Sequence, residues 1–352
     1  MLFQTFDKKS IESLGKVRLM EVCGTHTMSF ARSGIKSLLP DNIKLLSGPG
    51  CPVCVTPDGA IDSFLELSDN PDIIIATYGD MIRVPGSKRG DNLASRRARG
   101  AHVEVVYSPI DAIDIAAKNP DKEVVFLGVG FETTAPGTGA AIGVAAERGV
   151  NNFSVLSLLK RVEPSLRALI ESPDFSVNGF IVPGHVAVIL GEEGFRFLSE
   201  DYNLPGVVAG FETEDITVAI EHLIAQMISG NHRIENKYER LVRPDGNPAA
   251  KTAISKFFEP CDAIWRGLGF ISDSGYKIRE EYASYDAAEK FNIDINRPTD
   301  EKGCCCGEVI KGAMSPTMCP LFGTACTPED AVGPCMVSSE GACAAAYKYQ
   351  RI

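Results

Sequence analysis

The sequence predicts an α/β protein: two similar domains, each a parallel sheet with flanking helices, followed by a smaller, irregular C-terminal domain. Three observations carry this prediction. Short apolar runs, several of them continuous and rich in Val and Ile, recur along residues 17–210, as expected for strands buried on both faces. The segments between them often have helical periodicity, and strands alternating with helices build parallel sheets. Past residue 230 the pattern gives way to turn-rich and then cysteine-rich sequence.

The predicted strands are Val17–Val22, Ile43–Leu46, Ile73–Ala76, Val103–Tyr107, Val124–Val129, Phe153–Leu158, Phe180–Val182 and Val207–Ala209. Ala60–Leu67 reads as a helix because Ile61, Phe64, Leu65 and Leu67 fall near one face. Ala135–Arg148 is a small-residue apolar helix and Ile216–Ile228 an amphipathic one. Lys118-Asn-Pro-Asp punctuates the chain with about four strands on each side, which predicts domains at 12–118 and 119–240. Residues 245–352 form the third domain, which the N-terminal few residues are placed to join.

The chain has 352 residues, enough for two or three domains with full apolar cores. Hydrophobic residues make up 44% and charged residues 23%, and the formal net charge is −11. That charge argues against nucleic acid as a partner. No run approaches the ~20 apolar residues of a membrane span. The start, MLFQTFDKKS, lacks the basic and apolar regions of a signal peptide, so the expected location is cytoplasmic. Thiols stay reduced there, so eleven cysteines point to metal or redox chemistry rather than to a disulfide framework.

Ligands of open parallel sheets sit beyond the carboxyl ends of the strands. The loops there are Cys23-Gly-Thr-His26, Gly48-Pro-Gly-Cys51-Pro-Val-Cys54, Thr77-Tyr-Gly-Asp80, Gly128-Val-Gly-Phe-Glu132, Pro183-Gly-His185 and Gly210-Phe-Glu212. Cys51 and Cys54 form a CxxC, a spacing that serves a disulfide or half a metal site. Cys23, near His26, is either a thiolate held by the imidazole or a buried strand-end cysteine. If the first two strands are neighbours, three thiolates meet in a site suited to Fe(II), Cu(I) or Zn. Asp80 could hydrogen-bond His26 or cap a helix. Glu132 and His185 could close the cleft from the second domain.

Seven cysteines, Cys304, Cys305, Cys306, Cys319, Cys326, Cys335 and Cys343, crowd into the last 50 residues. Cys306, Cys319, Cys326 and Cys343 offer four thiolates on Gly- and Pro-rich loops, the usual ligation of an iron–sulfur cluster, with zinc as the competing reading. Cys304 could replace Cys306. The surplus thiols suggest a reversible pair, Cys304 or Cys305 with Cys335.

Taken together, the motifs resemble the HypD family of [NiFe]-hydrogenase maturation proteins. The matching segments are Met20-Glu-Val-Cys-Gly-Thr-His-Thr, Gly48-Pro-Gly-Cys-Pro-Val-Cys-Val, Tyr78-Gly-Asp-Met-Ile-Arg-Val-Pro-Gly, Tyr107-Ser-Pro-Ile-Asp-Ala, Gly128-Val-Gly-Phe-Glu-Thr-Thr, Pro183-Gly-His-Val, Val208-Ala-Gly-Phe-Glu, Trp265-Arg-Gly-Leu-Gly, Cys306-Gly-Glu-Val, Cys319-Pro-Leu-Phe-Gly and Met336-Val-Ser-Ser-Glu-Gly-Ala-Cys. The resemblance implies a scaffold that, with a HypC-type partner, carries an Fe(CN)2CO unit for the hydrogenase large subunit, with cyanide delivered by a HypE-type donor. It implies that Cys23, Cys51 and Cys54 bind the iron, helped by His26 and Asp80. It also implies that Cys306, Cys319, Cys326 and Cys343 hold a [4Fe–4S] cluster, in surroundings like those of a ferredoxin–thioredoxin reductase. Glu340 matches a motif position. The protein would be a ligand-transfer scaffold rather than an enzyme of simple turnover. The competing class is a stand-alone iron–sulfur thiol–disulfide oxidoreductase.

Overall fold

The computed structural model describes residues 8–299 and 303–349. The N-terminal few residues expected to join the C-terminal domain lie mostly outside that range. Eleven strands are present among the described residues: β1 (Val17–Glu21), β2 (Ile43–Ser47), β3 (Ile73–Thr77), β4 (His102–Val105), β5 (Glu123–Gly130), β6 (Phe153–Leu159), β7 (Gly179–Pro183), β8 (Gly206–Ala209), β9 (Ile234–Asn236), β10 (Phe258–Trp265) and β11 (Gly269–Ile278). The predicted eight are the first eight, with ends shifted by at most two residues. The helix at Ala135–Arg148 has the predicted bounds, and the other two are Asp58–Leu67 and Thr213–Ser229.

The strands form two parallel sheets flanked by helices, plus an antiparallel hairpin. One sheet has the order β2-β1-β7-β8-β9 and the other β4-β3-β5-β6, while β10 pairs with β11. This grouping corrects the expected division at residue 118. The chain leaves the first sheet after β2, builds the whole second sheet, and returns at β7 to pair beside β1. Lys118-Asn-Pro-Asp ends the helix Pro109–Lys118, because Pro120 disfavours the helical region for Asn119 and lacks the N–H to continue the helix. That helix is the crossover between β4 and β5, within one sheet.

Side chains alternate across each strand, so each sheet has two buried faces. Ile75, Val125, Leu127 and Leu156 of the four-stranded sheet share one continuous core with Met20, Phe180, Val182 and Val208 of the five-stranded sheet. Cys51, Cys54, Cys306, Cys335 and Trp265 belong to the same core. The outer faces pack against helices, Ile74, Phe126 and Phe153 in one layer and Leu19, Ile181 and Val207 in another. No helix among the described residues is long and apolar enough to cross a membrane. Beyond the hairpin, residues 303–349 are short helical turns and loops rich in cysteine.

Candidate functional site

Strand order reverses between β1 and β7 in one sheet and between β3 and β5 in the other. Such switch points open a crevice at the carboxyl ends of the strands. Cys23 and His26 follow β1 and His185 follows β7; Asp80 follows β3 and Glu132 follows β5.

Cys51 and Cys54 are joined as a disulfide, with Cα atoms 5.2 Å apart. Pro52–Val55 forms a single helical turn with Pro52 in its first positions, where the missing N–H costs nothing. The Cys54 N–H donates to Cys51 Sγ at 3.2 Å. Glycine is what sets this loop onto Cys23. A Cβ at Gly50 would lie 2.1 Å from Cys23 N and 2.3 Å from Val22 C, and the Gly24 N–H donates to the Gly50 carbonyl at 3.0 Å. Cys23 and the CxxC therefore lie on touching backbone, as neighbouring β1 and β2 require.

Cys23 is buried at the N-terminus of the helix Gly24–Ser33. Burial pushes its thiol up to about 12; Glu340 and Glu21 add to this, while the backbone N–H groups of His26 and Thr25 pull it back. The His26 ring does not serve the thiol. Its Nε2–H donates to the Gly210 carbonyl at 2.8 Å, and its buried Nδ1 has no hydrogen-bond partner. Burial lowers His26 to about 4, so the ring is neutral. His26 and His185 both lie against Phe211, with ring centroids at 4.6 and 4.0 Å. Glu21, which the motif reading passed over, is fully buried. It accepts from the Cys23 N–H at 3.0 Å and from the Thr27 hydroxyl. A charged residue inside the apolar run Val17–Val22 was the signal for it.

Residues 338–340 tie the three loops together. Ser338 Oγ lies 3.3 Å from Cys51 Sγ. The Ser339 N–H and hydroxyl donate to Asp80 at 3.1 and 2.6 Å, so Asp80 serves this segment rather than His26. Glu340 accepts from the Thr25 hydroxyl at 2.7 Å. Its main chain and Cβ fill the space where a Cβ at Gly24 would sit, 2.4 Å from Glu340 Cβ. Burial raises the Glu340 carboxyl, Asp80 adds to this and Thr25 opposes it.

All seven C-terminal cysteines line one cavity, walled by Val309, Leu321, Phe322 and Met336. Cys306 and Cys335 are both buried, with sulfurs 2.6 Å apart. The nearest thiol partner of Cys335 is thus Cys306 and not Cys304. Burial raises Cys343, and the neighbouring thiols Cys306, Cys304, Cys326 and Cys319 raise it further; burial also raises Cys326. So many thiols cannot ionise together without a cation to relieve their repulsion. Soft sulfur donors in an apolar pocket are the chemistry an iron–sulfur cluster requires, and the donor set fits one. Among the described residues, no three His, Cys, Asp or Glu side chains already stand at metal-holding geometry. A three-thiolate site of Cys23, Cys51 and Cys54, the expectation from the sequence, would require the Cys51–Cys54 disulfide to open first.

The helix Pro52–Val55 packs against both the Cys306–Ile310 helix and the Pro334–Met336 turn, so the two cysteine groups are adjacent. Arg266 braces this junction. It is half-buried, with 13% of its side chain exposed, donates to the Thr56 carbonyl at 2.8 Å and to Asp58 at 2.7 Å, and leaves Nε without a partner. Glu132 is separate from the thiols by its contacts. Its Oε1 accepts from the Val162 N–H at 3.0 Å, Oε2 is unpaired, and burial lifts the carboxyl to about 7.

The sequence model of the HypD family, described as a hydrogenase formation hypA family, matches residues 2–350. Similar proteins include hydrogenase maturation factor HypD2 of Bradyrhizobium diazoefficiens, 46% identical over 341 residues, which cover 95% of this chain and 90% of that protein. Hydrogenase maturation factor HypD of Escherichia coli K12 is 44% identical over 338 residues, 95% of this chain and 90% of that one. The protein of the same name from Rhodobacter capsulatus is 45% identical over 338 residues, 95% and 89% of the two chains.

Proposed function

Because the chain belongs to the HypD family of hydrogenase maturation factors, we propose that it is a cytoplasmic scaffold on which the iron of a [NiFe]-hydrogenase centre receives its cyanide and CO ligands. The observation that carries this reading is the contact of the two cysteine groups through the Pro52–Val55 helix and residues 338–340. Cys23, Cys51 and Cys54 take the iron as cargo, and thiolates suit an iron that must bind soft, strong-field ligands. The Cys51–Cys54 disulfide keeps the site closed until it is reduced. Reduction frees two sulfurs beside Cys23, and neutral His26 leaves Nδ1 free to accept a hydrogen bond. Glu340 and Asp80 hold residues 338–340 over the site.

Cys319, Cys326 and Cys343 hold a [4Fe–4S] cluster, and Cys304 takes the fourth position because Cys306 is engaged with Cys335. When bound, the cluster supplies electrons one at a time. Cys306 and Cys335, between the cavity and the CxxC helix, form the thiol pair that passes reducing equivalents inward. A HypC-type protein is the partner in carrying the iron, a HypE-type protein the donor of cyanide, and the hydrogenase large subunit the eventual recipient. The disulfide itself also favours a second reading, a stand-alone thiol–disulfide oxidoreductase.

Anaerobic purification with a HypC-type partner followed by infrared spectroscopy separates the two. The scaffold gives cyanide and CO stretches that vanish in Cys23→Ala. Bands that survive Cys23→Ala combined with Cys51→Ala refute the site. A complex that reduces disulfides but never shows the bands establishes the oxidoreductase.

A further inference from the structure

Among the described residues, two hydrogen-bond donors converge on one sulfur of the CxxC and none on the other. Cys51 Sγ receives the Cys54 N–H at 3.2 Å and faces Ser338 Oγ at 3.3 Å. A disulfide sulfur carries no hydrogen, so the serine hydroxyl is the donor. Its rotor is fixed from behind, since the Glu340 N–H donates to Ser338 Oγ at 3.2 Å. Ser338 is 1% exposed, which leaves little water to compete for the hydroxyl. Cys54 is 2% exposed and packs in the apolar core between the sheets, and among the described residues no hydrogen bond to its sulfur is present.

We propose that Ser338 is a positioning residue that makes the disulfide open in one sense, with an incoming thiolate bonding to Cys54 and Cys51 leaving as the free thiolate. This deepens the scaffold reading and rests on the CxxC cycling between disulfide and dithiol. In the exchange, the thiolate's electron pair forms a bond to Cys54 Sγ. The Sγ–Sγ bond breaks with its pair passing to Cys51, and the negative charge moves with it. A second thiolate then releases Cys54 and completes the two-electron reduction at the expense of a dithiol. The sulfur whose anion is better stabilised leaves faster, and a hydrogen bond to a charged acceptor changes such a preference by about tenfold or more. Cys51 is thus the first of the pair presented to a soft cation beside Cys23.

The test uses the full chain in its oxidised form and limiting 2-mercaptoethanol under argon. Acid quenching, alkylation and mass-spectrometric fragmentation of the peptide that carries both cysteines then locate the adduct. The expected result is mercaptoethanol on Cys54 and the alkyl group on Cys51, at about ten to one. Ser338→Ala should bring the ratio towards one, and Ser338→Thr, which keeps the hydroxyl, should restore it. A purely packing role would not move this ratio. An even ratio in the unaltered protein, adducts on Cys51, or an unchanged ratio in Ser338→Ala overturns the role of Ser338 alone. A disulfide that no thiol opens overturns the scaffold reading with it.

Discussion

Replacing Gly50 by alanine tests whether backbone contact joins the CxxC to Cys23. The new Cβ would lie 2.1 Å from Cys23 N, 2.3 Å from Val22 C and 2.5 Å from Cys23 Cα. All three atoms are main chain, so no side-chain rotation relieves the overlap and the two loops must separate. Overpacking of this kind costs roughly 1–3 kcal/mol when side chains can adjust, and a rigid backbone puts Gly50→Ala near 3 kcal/mol. Gly137→Ala is the matched control: Gly137 is exposed in the helix Ala135–Arg148, and an added Cβ meets nothing within 4 Å. There the same change should stabilise by about 0.5–1 kcal/mol through helix propensity. Urea unfolding of both oxidised variants measures the difference, expected near 4 kcal/mol with opposite signs. Gly50→Ala within about 0.5 kcal/mol of the unaltered protein, the usual range of surface changes, would refute the contact.

Glu132 predicts a pH dependence of stability. Its folded pKa, raised by burial to about 7 from 4.5, means that the native state keeps a proton the unfolded chain releases. Stability therefore declines as pH rises from about 4.5 to 7, by about 3 kcal/mol in all, and Glu132→Gln should flatten that part of the urea-midpoint profile. Arg266→Met leaves Asp58, whose side chain is only 13% exposed, and the Thr56 carbonyl without their partner, so it should cost about 1–3 kcal/mol, whereas Arg89→Ala, which removes an exposed pair with Asp330, should cost under ~1 kcal/mol; equal midpoint shifts would contradict the burial argument. After anaerobic iron and sulfide reconstitution, Cys319→Ser and Cys326→Ser should lose the visible cluster absorption and Cys335→Ser should retain it, with retention in the first two counting against the ligand assignment.

The local elements were legible because buried parallel strands announce themselves as apolar runs. All eight predicted strands exist, and β9 was missed because Ile234-Glu-Asn has only one apolar residue and is three residues long. The hairpin was missed because Pro260 and the charged Glu259 and Asp262 interrupt β10. Sheet membership was not legible at all. A run such as Phe180–Val182 reports that both its faces are buried but not that its neighbour is Leu19–Glu21, some 160 residues earlier. The site shows the same limit. Residue type and strand-end position singled out Cys23, Cys51, Cys54 and Asp80 as candidates, and CxxC spacing left a disulfide and half a metal site both open, of which the structure has the disulfide. The partners of those residues come from distant sequence. Asp80 meets Ser339, and Cys335 meets Cys306 across a 29-residue separation. Ser338 and Arg266 lay inside quoted motifs, but nothing in the sequence says which sulfur or carbonyl a side chain will face.

The hold of residues 338–340 on the CxxC has a consequence for the order of manufacture. Cys51 and Ser338 are 287 positions apart, so at roughly 5–20 residues per second a ribosome needs on the order of 15–60 s to make the second after the first. Throughout that interval β1 and β2 are complete while the closing serines do not yet exist, and β7 is made only about halfway through it. A nascent chain thus exposes Cys23, Cys51 and Cys54 without the covering that orients them, at the stage when stray metal or oxidant would do most harm. On the proposed scaffold reading, loading of iron would be a post-translational event, and a chain stalled before residue 338 would bear thiols it could neither shield nor use.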